Sequence, residues 1–182
     1  MDSKKKSKTP LELLQDYERR SLIHSVGIPE QAAVKGAWSG IAFRVDQYQL
    51  ISDINDISEI IQSNDVTFVP GAKPWLMGVA NVRGNLIPVV DLKSYLLGER
   101  TIWREQSRIL VAKQDGGGVG LIVEEVMGQK HFVESDATDS TGELPEPIEA
   151  YVNGTYVLGG DVWSIFHMDQ LVIDPEFMYA AA

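Results

Sequence analysis

From Trp38 onward, apolar and polar positions alternate with a period of two. In "GIAFRVDQYQLIS", Ile41, Phe43 and Val45 fall on one side and Ala42 and Arg44 on the other, which predicts a strand. Asp46-Gln47 then turns the chain into a second strand. Further short strands are predicted at "VTFVP", "GVANV", "LIPVV", "RILVAK", "VGLIVEEVM", "KHFV" and "DVWSIFHM". Turn signals separate them at Pro70-Gly71, Gly84-Asn85, Gly116-Gly117-Gly118 and Gly159-Gly160. Many short strands at this spacing, with few helices, predict an antiparallel sandwich or barrel.

Helical periodicity is confined to three places. "TPLELLQDYERRSLIH" predicts a helix over residues 9–24, with Thr9 and Glu12 as a capping box, Pro10 at the first turn, and Gly27 and Pro29 beyond its end. "DLKSYLLG" predicts a short helix stopped by Gly98, and "MDQLVI" one stopped before Pro175. The segment from Glu134 to Glu149 holds six acidic and no basic residues and reads as a solvated loop. It lacks the alternating acid spacing and terminal glutamate of a calcium loop, so no metal is assigned to it.

The hairpin "VANVRGNLIPVV" carries the most information. A two-residue turn at Gly84-Asn85, glycine first, predicts a type II′ hairpin that pairs Arg83 with Leu86 and Val82 with Ile87. One face is then Ala80, Val82, Ile87 and Val89, which is core. The other is Val79, Asn81, Arg83, Leu86, Pro88 and Val90. Pro88 cannot donate to a ladder, so its strand is expected at an edge or broken there. An apolar face with a single arginine has the composition of a protein–protein docking site. The same arginine could instead pair with a carboxylate such as Asp91 or Glu59 and staple the fold; composition does not choose between the two.

The 182-residue chain has a formal net charge of −10, which disfavours nucleic acid as a partner. Lys4, Lys5, Lys6 and Lys8 form a basic cluster expected to be a solvated tail. No apolar run is long enough to span a membrane, and no secretory signal is recognised. There are no cysteines, which excludes disulfides and thiolate sites and fits a cytoplasmic setting. His24, His131 and His167 have no ligand neighbours at metal-binding spacing. There is no Gly-x-Ser-x-Gly elbow and no phosphate loop. Glu124 and Glu125 are adjacent and would face apart on a strand. No active site, cofactor or metal site is therefore assigned, although a triad assembled from scattered residues stays open.

"GAKPWLMGVANVRGNLIPVVDLKSYL" resembles the central signature of the CheW family of chemotaxis coupling proteins, and "ISEII", "GVGLIVEEVMG" and "YVNGTYVLGGDVWSIFHMDQLV" resemble further family segments. The resemblance covers roughly residues 37–174. It implies a mainly β fold of two SH3-like five-stranded barrels sharing a core, here with an N-terminal helix and short extra helices. It implies residues 1–36 as tail, helix and linker, 37–175 as the CheW-like domain, and 176–182 as a C-terminal tail. It implies a non-enzymatic cytoplasmic adaptor, recruited to receptor arrays. Such an adaptor joins the CheW-like regulatory domain of a CheA-type histidine kinase to the cytoplasmic tip of a methyl-accepting chemoreceptor. Arg83 matches the motif arginine, Glu59 the glutamate used with it near partner surfaces, and Asp91 the aspartate of the Val-Asp-Leu segment. The expected protein-binding residues are thus Glu59, Val79, Asn81, Arg83 and Leu86. Some 36 residues precede the first strand, a departure from the family's usual start, and "AWSGIAFRV" and "KPWLMGVANVRG" are more similar to the PilI branch, which serves type IV pili and twitching motility. A flagellar coupling protein is the alternative, and a hydrolase with a scattered triad a further one.

Overall fold

The computed structural model describes Leu11 and residues 38–62, 65–114, 116–138 and 143–180. The chain divides into two units, Met1–Lys35 and Gly36–Ala182. The expected N-terminal helix, the lysine cluster and His24 lie outside the described residues, Leu11 apart.

The second unit is mainly β. Its strands are β1 (Trp38–Val45), β2 (Tyr48–Asp53), β3 (Ile57–Ile61), β4 (Leu76–Val82), β5 (Asn85–Asp91), β6 (Arg108–Gln114), β7 (Gly117–Val123), β8 (Glu125–Phe132), β9 (Ala137–Thr138), β10 (Val152–Leu158) and β11 (Asp161–Phe166). Short helices are α1 (Leu92–Leu97), α2 (Glu146–Glu149), α3 (Met168–Ile173) and α4 (Pro175–Met178). One sheet runs β8-β1-β2-β11-β10-β9 and the other β3-β6-β7-β5-β4. These are the two SH3-like barrel halves, the first with six strands where five were expected, because the short β9 adds to β10. The chain opens the first sheet with β1 and β2, builds the whole of the second, and returns to finish the first.

Period-two alternation sorts the apolar side chains into three clusters. Ile41, Phe43 and Val45 on one face of β1 join Leu110, Leu121 and Val123 of the other sheet, with Leu92, Met168 and Phe177 from the helices, in one shared core. Ala42, on the opposite face of β1, packs with Ile51, Phe132 and Trp163 inside the first half. Ala80, Val89, Ile109 and Ile122 form the corresponding interior of the second half.

Several expectations change. The sheets are not wholly antiparallel: β2 pairs with β11, and β5 with β7, in parallel. "VTFVP" contributes only an isolated bridge, in which Thr67 exchanges both backbone hydrogen bonds with Val79. "VGLIVEEVM" is not one strand. It breaks at Glu124, ending β7 and opening β8, which absorbs "KHFV". The acidic stretch is not all loop: it contains β9, which pairs with β10, and α2, whose Ile148 is fully buried. Beyond Pro175 the chain forms α4 and buries Phe177, which tail composition did not signal.

The β4–β5 hairpin is shifted. Val82 pairs with Asn85, Asn81 with Leu86, Ala80 with Ile87 and Val79 with Pro88. The turn is Arg83-Gly84, both at positive φ (51° and 89°), which is the type I′ geometry. Each strand residue meets a partner two positions nearer the turn than expected. An even shift preserves parity, so the two faces survive. Ala80, Ile87 and Val89 are buried as expected and Val82 half-buried. Val90, assigned to the outer face, lies in the shared core instead, past a bulge at Leu76 to Gly78. Gly78 has φ 146°, and a Cβ there would collide with the Thr67 carbonyl, so glycine is required. β5 is interior to its sheet, not an edge. Pro88 is tolerated because β5 pairs with β7 only from Val89 on. Its partner Val79 directs its own hydrogen bonds to Thr67.

Candidate partner-binding site

The second sheet ends in β3 on one side and β4 on the other. The turn after β4 brings these ends together. Arg83 Nε lies 3.0 Å from Glu59 Oε2 and 3.2 Å from Oε1, and Glu59 sits on β3. Among the two carboxylates weighed for Arg83, the structure selects Glu59. Asp91 is buried and occupied elsewhere: it caps α1 by accepting from Ser94 N–H, and accepts from the Thr101 N–H and hydroxyl at 2.8 and 2.7 Å. Its role is structural.

Arg83 is 79 % exposed in its side chain, Glu59 only 23 %. An exposed pair of this kind contributes little to stability. The arginine also occupies a left-handed backbone position where Gly, Asn or Asp is favoured. Asn81 makes that turn possible: its Oδ1 accepts the Gly84 N–H at 2.8 Å. The side chain expected as a contact is thus a turn lock.

An open cleft of about 480 Å³ lies over this seam, lined by Glu59, Arg83, Leu86, Pro88, Lys113 and the Gly117 end of the β6–β7 hairpin, among others. Leu86 is 73 % exposed. Of the five expected residues, Glu59, Arg83 and Leu86 gather at the cleft. Asn81 stands behind the turn, and Val79 is half-buried against Thr67 outside the cleft lining. Lys113 is the residue that sequence reasoning missed. Its charge at the end of β6 marks it as solvent-facing, but only the sheet order β3-β6-β7-β5-β4 brings it to the same surface.

A second charged cluster lies at the joint between the sheets. Lys93 Nζ, on α1, is 2.8 Å from Asp46 Oδ1, 3.4 Å from Glu99 and 3.9 Å from Glu124. Glu124 also accepts the Asp46 N–H, while Arg44 donates to the Asp46 carbonyl and pairs with Glu125. The adjacent glutamates thus serve different partners, as their facing apart implies. The hydrogen bond to Asp46 raises the Lys93 pKa above its ordinary value, and the same bond lowers that of Asp46. Elsewhere, burial raises the Tyr151 hydroxyl, which donates to Asp174, and raises Asp56, with repulsion from Asp169 and Asp53 adding to it.

The Ser39 hydroxyl and His131 Nδ1 are 2.8 Å apart, the one described serine–histidine side-chain pair. They are exposed cross-strand neighbours on β1 and β8, outside the clefts described here, and no described carboxylate bonds the other ring nitrogen. The pair lacks the orienting acid and the enclosed site that nucleophilic chemistry needs. Among the described residues no group of three or more His, Cys, Asp or Glu could hold a metal ion, and no helix is long and apolar enough to cross a membrane.

The family model for the CheW-like domain matches residues 39–176. The chain belongs to the CheW-like family. Protein PilI of Pseudomonas aeruginosa is 33% identical over 169 residues, which cover 92% of this chain and 89% of PilI. That breadth places the chain in the PilI-type branch of the CheW family. The chemotaxis protein CheW of Thermotoga maritima is 33% identical over 95 residues, 52% of this chain and 62% of that one. The crystal structure of the scaffolding protein TtCheW from Thermoanaerobacter tengcongensis superposes with a TM-score of 0.63 at 25% identity, covering 76% of this chain and 94% of that one. In this CheW-like domain, the family match takes in both sheets and the Glu59–Arg83 seam.

Proposed function

We propose that the protein is a non-enzymatic cytoplasmic adaptor of the PilI type. It couples the cytoplasmic tip of a methyl-accepting chemoreceptor to the CheW-like regulatory domain of a CheA-type histidine kinase, in an array controlling type IV pili and twitching motility. Docking uses the Arg83 face, with Glu59 and Leu86 in contact and Asn81 and Val79 supporting it. One observation carries this reading. An arginine stands at a left-handed turn position, 79 % exposed, where glycine or asparagine would be less strained. Its ion pair, exposed to solvent, is too weak to account for it by stability. An exposed apolar residue, Leu86, flanks it, and arginine flanked by apolar surface is the usual make-up of an interface anchor.

The test is titration calorimetry of the full chain, parent and Arg83→Glu, against a purified kinase regulatory domain and a receptor-tip fragment from the same organism. Loss of binding to either, with an unchanged melting temperature, supports the docking reading. Unchanged binding to both overturns it. Complementation of twitching against flagellar swarming in strains lacking the corresponding adaptor separates the pilus from the flagellar pathway.

A further inference from the structure

We infer that Asp56 and His167 form a proton-operated clasp: one proton, taken up as pH falls, joins the turn before β3 to the start of α3. This stands apart from the docking reading of the Arg83 face. The clasp sits where the chain crosses between the sheets. Asp56 closes the 3-10 turn Ile54–Asp56, between β2 of the first sheet and β3 of the second. His167 follows β11 and is the N-cap of α3, whose Leu171 and Val172 lie in the shared core.

Both side chains carry an unmet bond. His167 Nδ1 lies 3.4 Å from Asp169 Oδ1, which favours the tautomer with its proton on Nδ1. Nε2 is then an acceptor, and it is buried without a hydrogen-bond partner. The Asp56 carboxylate is half-buried and accepts no hydrogen bond from the described residues. Two acceptors cannot serve one another until a proton arrives. On His167 it makes Nε2–H a donor to the carboxylate. On Asp56 it makes the carboxyl a donor to Nε2. Either way one proton satisfies both groups, and the histidine is near enough to act on the ionisation of Asp56.

The surroundings make the unjoined pair costly. Burial first, then repulsion from Asp169 and Asp53, raises the Asp56 pKa, while His167 and Lys113 oppose the rise. These neighbours have other tasks. Asp53 accepts from Trp38 Nε1 at 2.9 Å and from the Asn55 N–H, and Lys113 donates to the Asn55 carbonyl. The Tyr151 carbonyl accepts the His167 N–H at 2.8 Å, which holds the backbone from the α2–β10 side. A group whose pKa is raised by folding costs stability while it is ionised, and the cost fades as pH falls through the folded value. The shared proton belongs to the pair, and histidine sets its range, between about pH 5 and 8. β3 begins at Ile57, next to Asp56, and carries Glu59. Closing the clasp therefore ties α3 to the root of the strand that holds the Arg83 seam.

The experiment is urea denaturation of the full chain at about pH 8 and about pH 6, for the parent, Asp56→Asn, His167→Gln and the double variant. The folded-to-unfolded ratio of the parent, divided by that of Asp56→Asn, is expected to rise about threefold or more between the two, since one extra bound proton gives at most about tenfold per pH unit. With His167→Gln as the background, the same quotient is expected to stay flat. A flat quotient in the parent background overturns the clasp. So does a rise that persists without His167, because Asp56 then titrates alone. Nitrogen NMR of the histidine ring decides the matter even if His167→Gln fails to fold. At about pH 6, His167 Nε2 is expected to carry a proton in a larger fraction of the parent than of Asp56→Asn, and an equal or smaller fraction overturns the inference.

Discussion

Two basic side chains of this domain hold carboxylates, in opposite settings. Lys93 is 13 % exposed and gathers Asp46, Glu99 and Glu124 from the β1–β2 turn, the end of α1 and the β7–β8 break. Arg83 is 79 % exposed and holds one carboxylate across the seam of a single sheet. Desolvation separates them. Removing Lys93 would take the cation from the largely buried Glu124, with Asp46 and Glu99 more open to water, whereas the Arg83 guanidinium itself stands in solvent and is screened from its one carboxylate. The first arrangement suits a structural tie between the two halves. The second suits a group kept available for something outside the molecule.

The sharpest way to break this contrast is Lys93→Ala. It is expected to lower stability by about 1–2 kcal/mol, read by urea denaturation, because the ammonium and Glu124 are largely buried while solvent screens Asp46 and Glu99. A loss no larger than that of an exposed pair would erase the distinction. Arg83→Glu is expected to do the reverse. Binding to one partner weakens by about 2 kcal/mol or more, while stability moves by less than ~0.5 kcal/mol. Equal losses of stability in the two variants would make Arg83 a staple after all.

A smaller effect sharpens the Arg83 side. Asn81→Ala removes the acceptor for the Gly84 N–H and is expected to cost about 1 kcal/mol in stability, weakening partner binding as the turn loosens. Asn81→Asp keeps an acceptor there and should restore both. Binding that stays at the parent value in Asn81→Ala would show that the turn does not aim the arginine.

The smallest effect is in pH. The Asp46 carboxyl is lowered by Lys93, so its contribution is present above its unfolded pKa and is lost as pH falls through the lower folded value, below about pH 4. The Lys93 pKa is raised by Asp46, so its contribution is complete below its unfolded pKa and is lost as pH rises past about 10.5. Both losses should be shallow, because Asp46 is partly exposed and solvent screens the pair. Stability measured across that range in the parent and in Lys93→Met should differ by a plateau that narrows at both ends. Parallel curves would detach the cluster from the pH dependence.

Much of the second unit was legible because alternation reports faces locally. The Ile41, Phe43 and Val45 stripe, and the buried set of Ala80, Ile87 and Val89, needed only the period of two. The hairpin shows where local reading stops. Gly84-Asn85 and Arg83-Gly84 are neighbouring two-residue turns with the same flanking runs. The second won although it places arginine at positive φ, helped by the Asn81 side chain, which accepts the Gly84 N–H. Pro88 left an edge and a break in the ladder equally open, and the structure shows the break, for a related reason. Its missing N–H told of an absent hydrogen bond but not of which neighbour lacked it.

By itself the sequence determined the strand-rich class, the two faces of the hairpin, the stop of α1 at Gly98, and, through the motif around Arg83, the family. These depend on residues close together in the chain, whose geometry the backbone fixes locally. Only the tertiary structure decided that β1 and β2 share a sheet with β8 to β11, that Arg83 meets Glu59 and not Asp91, and that Phe177 is core. Each of these joins residues far apart in sequence. Their pairing follows from how two sheets bury a common set of side chains, and no local period records that.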